Sequence, residues 1–315
     1  MNNIKAINYT GFNYQCIGEE QTKENLRIMK KLTACNTVII VLGALQEDSK
    51  SVYIDYQHAI MPKDSDLIDF IRYARKLELK VFLKPVIDCQ DGSSRTGIQF
   101  FKASTAQENL WNQWYESYQK FILHYAKIAE KTRCEMFYIG SCLTKLMDRP
   151  DAWNDLIKQV RSCYQGKVTY EAEAYQEQKV PFWKELDAIA TNGSFAKQDF
   201  QKELERIEKL ALSCKKPLYL TECGCMSTIG ASADPGRWQL EGKISLQEQV
   251  EYLEEVFIQC NRKSCVKGIG IWCWNNRRQS RNTAVKDKRY YIYGKPVCEF
   301  IFDEWSSESE IKQAI

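Results

Sequence analysis

The sequence predicts an α/β fold, a (β/α)8 TIM barrel that takes residues 1–315 as one domain. Three observations lead there. Short, nearly continuous apolar runs recur eight times along the 315 residues. Amphipathic stretches with apolar positions three and four apart lie between them, and no Pro/Gly/Ser-rich linker divides the chain. Strands that are apolar on both faces belong to a parallel sheet covered by helices. Eight such units in about this length fit a closed barrel. A doubly wound sheet is the alternative, but no Gly-rich phosphate loop follows the first strand.

The expected strands are KAINYTGF (5–12), TVIIVLGAL (37–45), KVFLKPVID (80–88), EMFYIGSCL (135–143), KVTYEAEA (167–174), AIATNGSF (188–195), PLYLTECG (217–224) and GIGIWCWN (268–275). The clearest helical patterns are ENLRIMKKLTAC, DLIDFIRYARKLEL, ENLWNQWYESYQKFILHYAKIAEKT, AWNDLIKQVRSCY, ELERIEKLALSC and QEQVEYLEEVFIQC. Several begin at an Asp or Ser cap, as at Asp64-Ser65-Asp66 and Asp151.

Composition narrows the function. A net charge of +3, with no basic run and no Gly-rich RNA-binding motif, argues against nucleic acid as a partner. No apolar run approaches the ~20 residues of a membrane helix, so no membrane partner is expected. The first twelve residues, MNNIKAINYTGF, have no signal-peptide core. Thirteen cysteines without framework spacing read as free thiols in a reducing compartment, and the cytoplasm is the expected location.

A barrel directs the search to the C-terminal ends of its strands. There the sequence places Asn13 and Tyr14, Gln46, Lys84 and Asp88, Cys142, Glu171 and Glu173, Asn192 and Ser194, Glu222, and Trp272, Trp274 and Asn275. Loops add Asp91, Arg95, Trp111, Trp114, Arg237 and Trp238. Carboxylates, amides and several Trp at one mouth suit a glycan: indole faces stack on the apolar side of a pyranose while polar groups bind its hydroxyls. The two-residue strand period puts Trp272 and Trp274 on one face as a sugar platform, and Glu171 and Glu173 on another. Trp111 and Trp114 either line a subsite or pack. The basic stretch RRQSRNTAVKDKR (277–289) is a solvated loop or an anion-binding one.

No metal or cofactor is expected. Cys142, Cys223, Cys225 and Cys273 fall near the mouth, but zinc sites usually show C-x₂₋₄-C pairs and the closest spacing here is C-x-C. Of the two histidines, His58 falls in an early loop and His124 on an apolar helix stripe, so a Cys–His dyad is not supported.

Several stretches, in order, resemble glycoside hydrolase family 113, retaining β-mannanases of the clan whose two catalytic Glu follow strands 4 and 7. They are LKPVIDCQDGSSRTGI (83–98), WNQWYESYQKFILHYAKIAE (111–130), YIGSCL (138–143), VPFWKELDAIA (180–190), KPLYLTECG (216–224) and GIGIWCWN (268–275). The resemblance implies that Glu222 is the nucleophile and that Arg95 contacts sugar. Lys84, Asp88, Asn192, Trp272, Trp274, Asn275, Glu171 and Glu173 join them as expected glycan-binding residues. It also exposes three departures. Cys142 stands at the acid/base position, Val86 replaces a sugar-binding His, and Ser194 occupies the place of a Tyr.

A protonated thiol is a poor donor to a glycosidic oxygen. That leaves two expectations. The protein is a carbohydrate-active retaining β-glycosidase with an altered acid/base, for which Glu171, Glu173 or Asp88 could supply the proton. Alternatively it is a catalytically silent barrel that binds a glycan or a partner.

Overall fold

A computed structural model describes residues 4–10, 16–59, 61–100, 104–238, 241–277 and 279–313. Asn13 and Tyr14 lie outside the described residues. Eight strands pair in parallel, each with the next in sequence, and β8 closes on β1. They are β1 (Ile4–Thr10), β2 (Thr37–Gln46), β3 (Lys80–Cys89), β4 (Met136–Ser141), β5 (Lys167–Ala172), β6 (Ile189–Thr191), β7 (Leu218–Cys223) and β8 (Val266–Asn275).

Helices α1 (Glu20–Thr33), α2 (Asp64–Lys76), α3 (Thr105–Thr132), α4 (Pro150–Cys163), α5 (Phe200–Cys214) and α6 (Leu246–Asn261) lie between successive strands. A single turn, α7 (Arg281–Ala284), and α8 (Pro296–Gln313) follow β8. The fifth unit departs from eight regular strand–helix pairs. Two 3-10 turns, Glu177–Lys179 and Trp183–Glu185, take the place of a helix around Pro181. The indole N–H of Trp183 fixes them by donating to the Glu177 carbonyl at 2.7 Å.

The strands are apolar on both faces because there are two cores to fill. Ile4, Ala6, Ile39, Phe82, Met136, Tyr138, Ala188, Ala190 and Tyr219 fill the barrel interior. Ile7, Val38, Ile40, Val81, Leu83, Phe137 and Ile139 face outward, against the helices. All six residues of β4 are buried. On α3, Trp111, Trp114 and Tyr118 stack in sequence, with ring centroids 5.7 and 4.7 Å apart. Trp111 and Trp114 are therefore packing residues, and the Trp114 indole donates to Gln46 Oε1 at 3.0 Å. His124, on the outer face of α3, pairs with Asp64 at 2.9 Å.

Strand β8 breaks the expected alternation. Ile7 of β1 faces Ile271 and Tyr9 faces Trp274, so β8 holds one residue more than β1 over that span. An extra residue on one strand turns the residues after it to the other face. Trp272 therefore meets the barrel mouth, while Trp274 is wholly buried on the helix side. Its indole donates to Asn25 Oδ1 of α1 at 3.2 Å, and its ring meets Tyr293 edge-on. Trp274 is thus not part of a sugar platform.

Candidate active site

Four strands converge on one buried ion cluster. Lys84, in the middle of β3, is completely buried. Its Nζ donates to both carboxylate oxygens of Glu171 on β5, at 3.0 and 2.8 Å, and to Oε1 of Glu222 on β7. Glu171 also accepts from Ser141 Oγ of β4 at 2.7 Å and from the Thr221 hydroxyl of β7. A buried lysine survives only where its charge is answered. Burial lowers the Lys84 pKa, but the two carboxylates more than offset it, and the net shift is upward.

The two carboxylates differ in access. The Glu171 side chain has no exposed surface, whereas that of Glu222 is 20% exposed. Burial and the charge of Glu171 raise the Glu222 pKa, against the lowering pull of Lys84 and Arg95. Glu222 is the member of the cluster that opens outward, and Glu171 and Lys84 form its floor.

Cys142 sits just past the end of β4, where regular pairing stops. The β4–β5 register shifts between Tyr138 and Ser141, and Cys142 adopts the left-handed conformation, at φ 54°. Three contacts hold it there. Its backbone N–H donates to the Glu171 carbonyl at 2.9 Å, and the N–H of Leu143 to Tyr170 Oη at 2.8 Å. The Tyr118 hydroxyl donates to the Ile139 carbonyl at 2.7 Å. Burial, then the charges of Glu171 and Glu222, push the thiol far up. A thiol so placed stays neutral in the metal-free site, which makes it a poor nucleophile.

Above the cluster lies a cleft of ≈ 200 Å³. Glu222, Cys142, Glu173, Asn192, Ser194, Arg95 and Trp272 all line it. Asn192 Oδ1 accepts from the backbone N–H of Ala174 at 2.9 Å and of Ser194 at 3.2 Å, while its Nδ2 lies 4.0 Å from Cys142 Sγ. Glu173 is half-buried and accepts from Thr144 Oγ1 at 2.9 Å. Trp272 has Lys84 Nζ 5.7 Å from its ring centre. On the rim, Trp238 is 63% exposed and lies against Tyr290, with centroids 4.6 Å apart.

Lys84 and Glu171, expected to bind the glycan, lie buried beneath the cleft without lining it. Two more expected residues besides Trp274 stand apart from both the cleft and its floor. Asp88 does not line the cleft, and its carboxylate pairs with Arg95 at 2.6 Å. Asn275 belongs to a separate pocket with Tyr291 and Lys295, and its Oδ1 accepts the N–H of Arg277 at 2.7 Å. Asn275 is the last residue of β8, and the turn that follows takes up its side chain. Ser141, Thr221 and Tyr290 complete the site and were not expected there. Strand alternation sets Ser141 and Thr221 opposite Cys142 and Glu222, and it fails at both strand ends, where the register shifts. Tyr290 follows the last strand and carries no periodic signal. Among the described residues, no group of three or more His, Cys, Asp or Glu is placed to hold a metal ion.

A closed parallel barrel with a carboxylate at the end of β7, over an aromatic-rimmed cleft, defines the class as a barrel of glycoside hydrolase type. The sequence matches the model of Glycoside Hydrolase Family 113 over residues 11–295. A solved GH113 β-1,4-mannanase is 39% identical, at a TM-score of 0.94, covering 98% of this chain and 100% of that one. The GH113 β-mannanase AaManA from Alicyclobacillus acidocaldarius, in complex with ManMIm, is 28% identical at a TM-score of 0.92, covering 98% of each chain. A Faecalibacterium prausnitzii β-glucuronidase shares the fold alone, at 13% identity and a TM-score of 0.65, over 97% of this chain and 49% of that one. Comparison with curated proteins returned no match. The chain belongs to glycoside hydrolase family 113.

Proposed function

We propose that the protein is a retaining carbohydrate-active enzyme that acts on β-mannosides or mannooligosaccharides, with Glu222 as its nucleophile. The observation that carries this reading is the placement of Glu222. It alone of the Lys84-bound carboxylates opens to the cleft, and it does so at the end of β7. A retaining enzyme needs such a carboxylate to attack C1 of the sugar and form a glycosyl ester, which water then hydrolyses. Lys84 and Arg95 favour the anionic form of Glu222 and so oppose the effect of burial. Trp272 and the Trp238–Tyr290 pair offer faces for the ring, while Arg95 and Asn192 offer donors for its hydroxyls. The 39%-identical relative is a β-1,4-mannanase, and that supports mannose as the sugar class.

Cys142 makes the acid/base position non-standard. A thiol donates weakly, so Cys142 itself contributes little to cleaving an unactivated bond. The nucleophile can be tested apart from the acid with 2-deoxy-2-fluoro-β-mannosyl fluoride, whose leaving group needs no proton. The expected result is a stoichiometric mass increase on a peptide containing Glu222, absent in Glu222→Gln. If mannooligosaccharide binds by calorimetry but no label forms, the silent glycan-binding barrel is the right reading.

A further inference from the structure

We propose that Glu173, two residues beyond Glu171 on the end of β5, is the acid that protonates the departing glycosidic oxygen, in place of the residue at position 142. This rests on Glu222 being the nucleophile. Four carboxylates stand at the mouth, and the contacts sort them. Glu171 has no exposed surface, and its oxygens are taken by Lys84, Ser141 and Thr221. Asp88 is drawn to Arg95 and lies outside the cleft. Glu222 makes the attack. Glu173 lines the same cleft, half-buried, and its Oε2 takes a hydrogen bond from Thr144. Among the described residues its Oε1 has no partner.

The backbone places Glu173 beside the vacated position. Ser141 of β4 pairs with Glu171 of β5, and the N–H of Cys142 bonds the Glu171 carbonyl. Asn192 Oδ1 then holds the N–H of Ala174. Glu173 therefore follows β5 by one residue, between held backbone groups, beside the neighbouring strand end that Cys142 follows. The Cys142 side chain is shorter than a glutamate's and lines the same cleft as Glu173. A carboxyl group is also the better donor of the two.

The chemistry balances as a double displacement. A Glu222 oxygen bonds to C1 as the bond from C1 to the glycosidic oxygen breaks. The carboxyl proton of Glu173 passes to that oxygen, and the aglycone leaves as an alcohol. The Glu173 carboxylate then takes a proton from water or a sugar hydroxyl. That oxygen bonds to C1, the ester to Glu222 breaks, and both carboxyl groups return to their starting states.

The experiment compares the wild type, Glu173→Gln and Cys142→Ala on dinitrophenyl β-mannoside and on a β-mannooligosaccharide, with and without azide. Labelling by the fluoro-sugar fluoride runs beside each. Glu173→Gln is expected to lose ~10²-fold or more on the oligosaccharide, the usual worth of general acid help. It keeps rapid release of dinitrophenol, speeds up with azide to give β-mannosyl azide, and still labels at Glu222, which shows that it folds. Cys142→Ala is expected to change both substrates by the same factor and to ignore azide. The proposal is overturned if Cys142→Ala shows the leaving-group dependence and azide rescue instead. It is equally overturned if the wild type labels at Glu222 yet never cleaves the oligosaccharide. Absence of label in the wild type overturns the nucleophile assignment as well, and so marks that failure apart from the others.

Discussion

Lys84 shows how much one residue holds here. Its ammonium answers two carboxylates with no exposed surface of its own. Removing one partner of a buried pair leaves an unanswered charge and costs about 3–5 kcal/mol. Lys84→Met is expected to lower the unfolding free energy by that order, as read by urea denaturation. Adding Glu171→Gln removes the charge left behind, so the double variant should be more stable than Lys84→Met alone, a coupling that a double-mutant cycle measures. If the two losses simply add, the pair does not act as a unit. Activity should not return with stability, because Glu222 still lacks its donor.

At the scale of the element, the end of β4 is built around an absent side chain. A Cβ on Gly140 would lie 2.7 Å from Tyr118 Oη and 3.0 Å from the Tyr170 ring. Both tyrosines hold the turn that carries Cys142, so Gly140→Ala should cost about 1–3 kcal/mol by overpacking. Tyr118→Phe gives up the hydrogen bond to the Ile139 carbonyl, worth about 1 kcal/mol. It also removes the closest obstacle to the new methyl group. Thermal melts of the two single variants and the double should show a double variant less damaged than the sum. Additive losses would mean that the strand end relaxes elsewhere. The same scale shows what the sequence made legible. Alternation read β4, β5 and β7 to their last regular residues. It failed where pairing slips: at Ser141 and Thr221, and in β8, where an additional residue separates Trp272 from Trp274. A bulge leaves no mark in the pattern of apolar residues, because both faces of these strands are buried.

For the whole molecule, each of the eight expected strand windows overlaps an observed strand, since two cores require apolar residues on both faces. The expected helices stop at residues 247–260, yet α8 also closes the barrel, with Val297, Ile301 and Trp305 buried at a spacing of four. Two closed cores also bury many thiols, and that sets a pH dependence. Burial pushes Cys35 up to about 11 and Cys134, Cys273 and Cys298 up to about 12. Cys142, Cys223, Cys225 and Cys260 are also pushed up, chiefly by burial. A thiol in the unfolded chain ionises near ~8.5. Above that pH the unfolded state releases protons that the native state keeps, so stability falls as pH rises, until the folded values are passed. At pH 10 each such thiol costs about 2 kcal/mol. Lys295 works the other way. Burial holds it down to about 8, so its native form is already neutral where the unfolded lysine still binds a proton. Its gain at pH 10 is about 2.5 kcal/mol, one lysine against eight thiols. In reducing buffer, the urea midpoint should fall steeply from pH 8 to pH 10, and Cys35→Ala should make that fall shallower. A midpoint that holds level to pH 10 would mean that the thiols are not sealed in the cores.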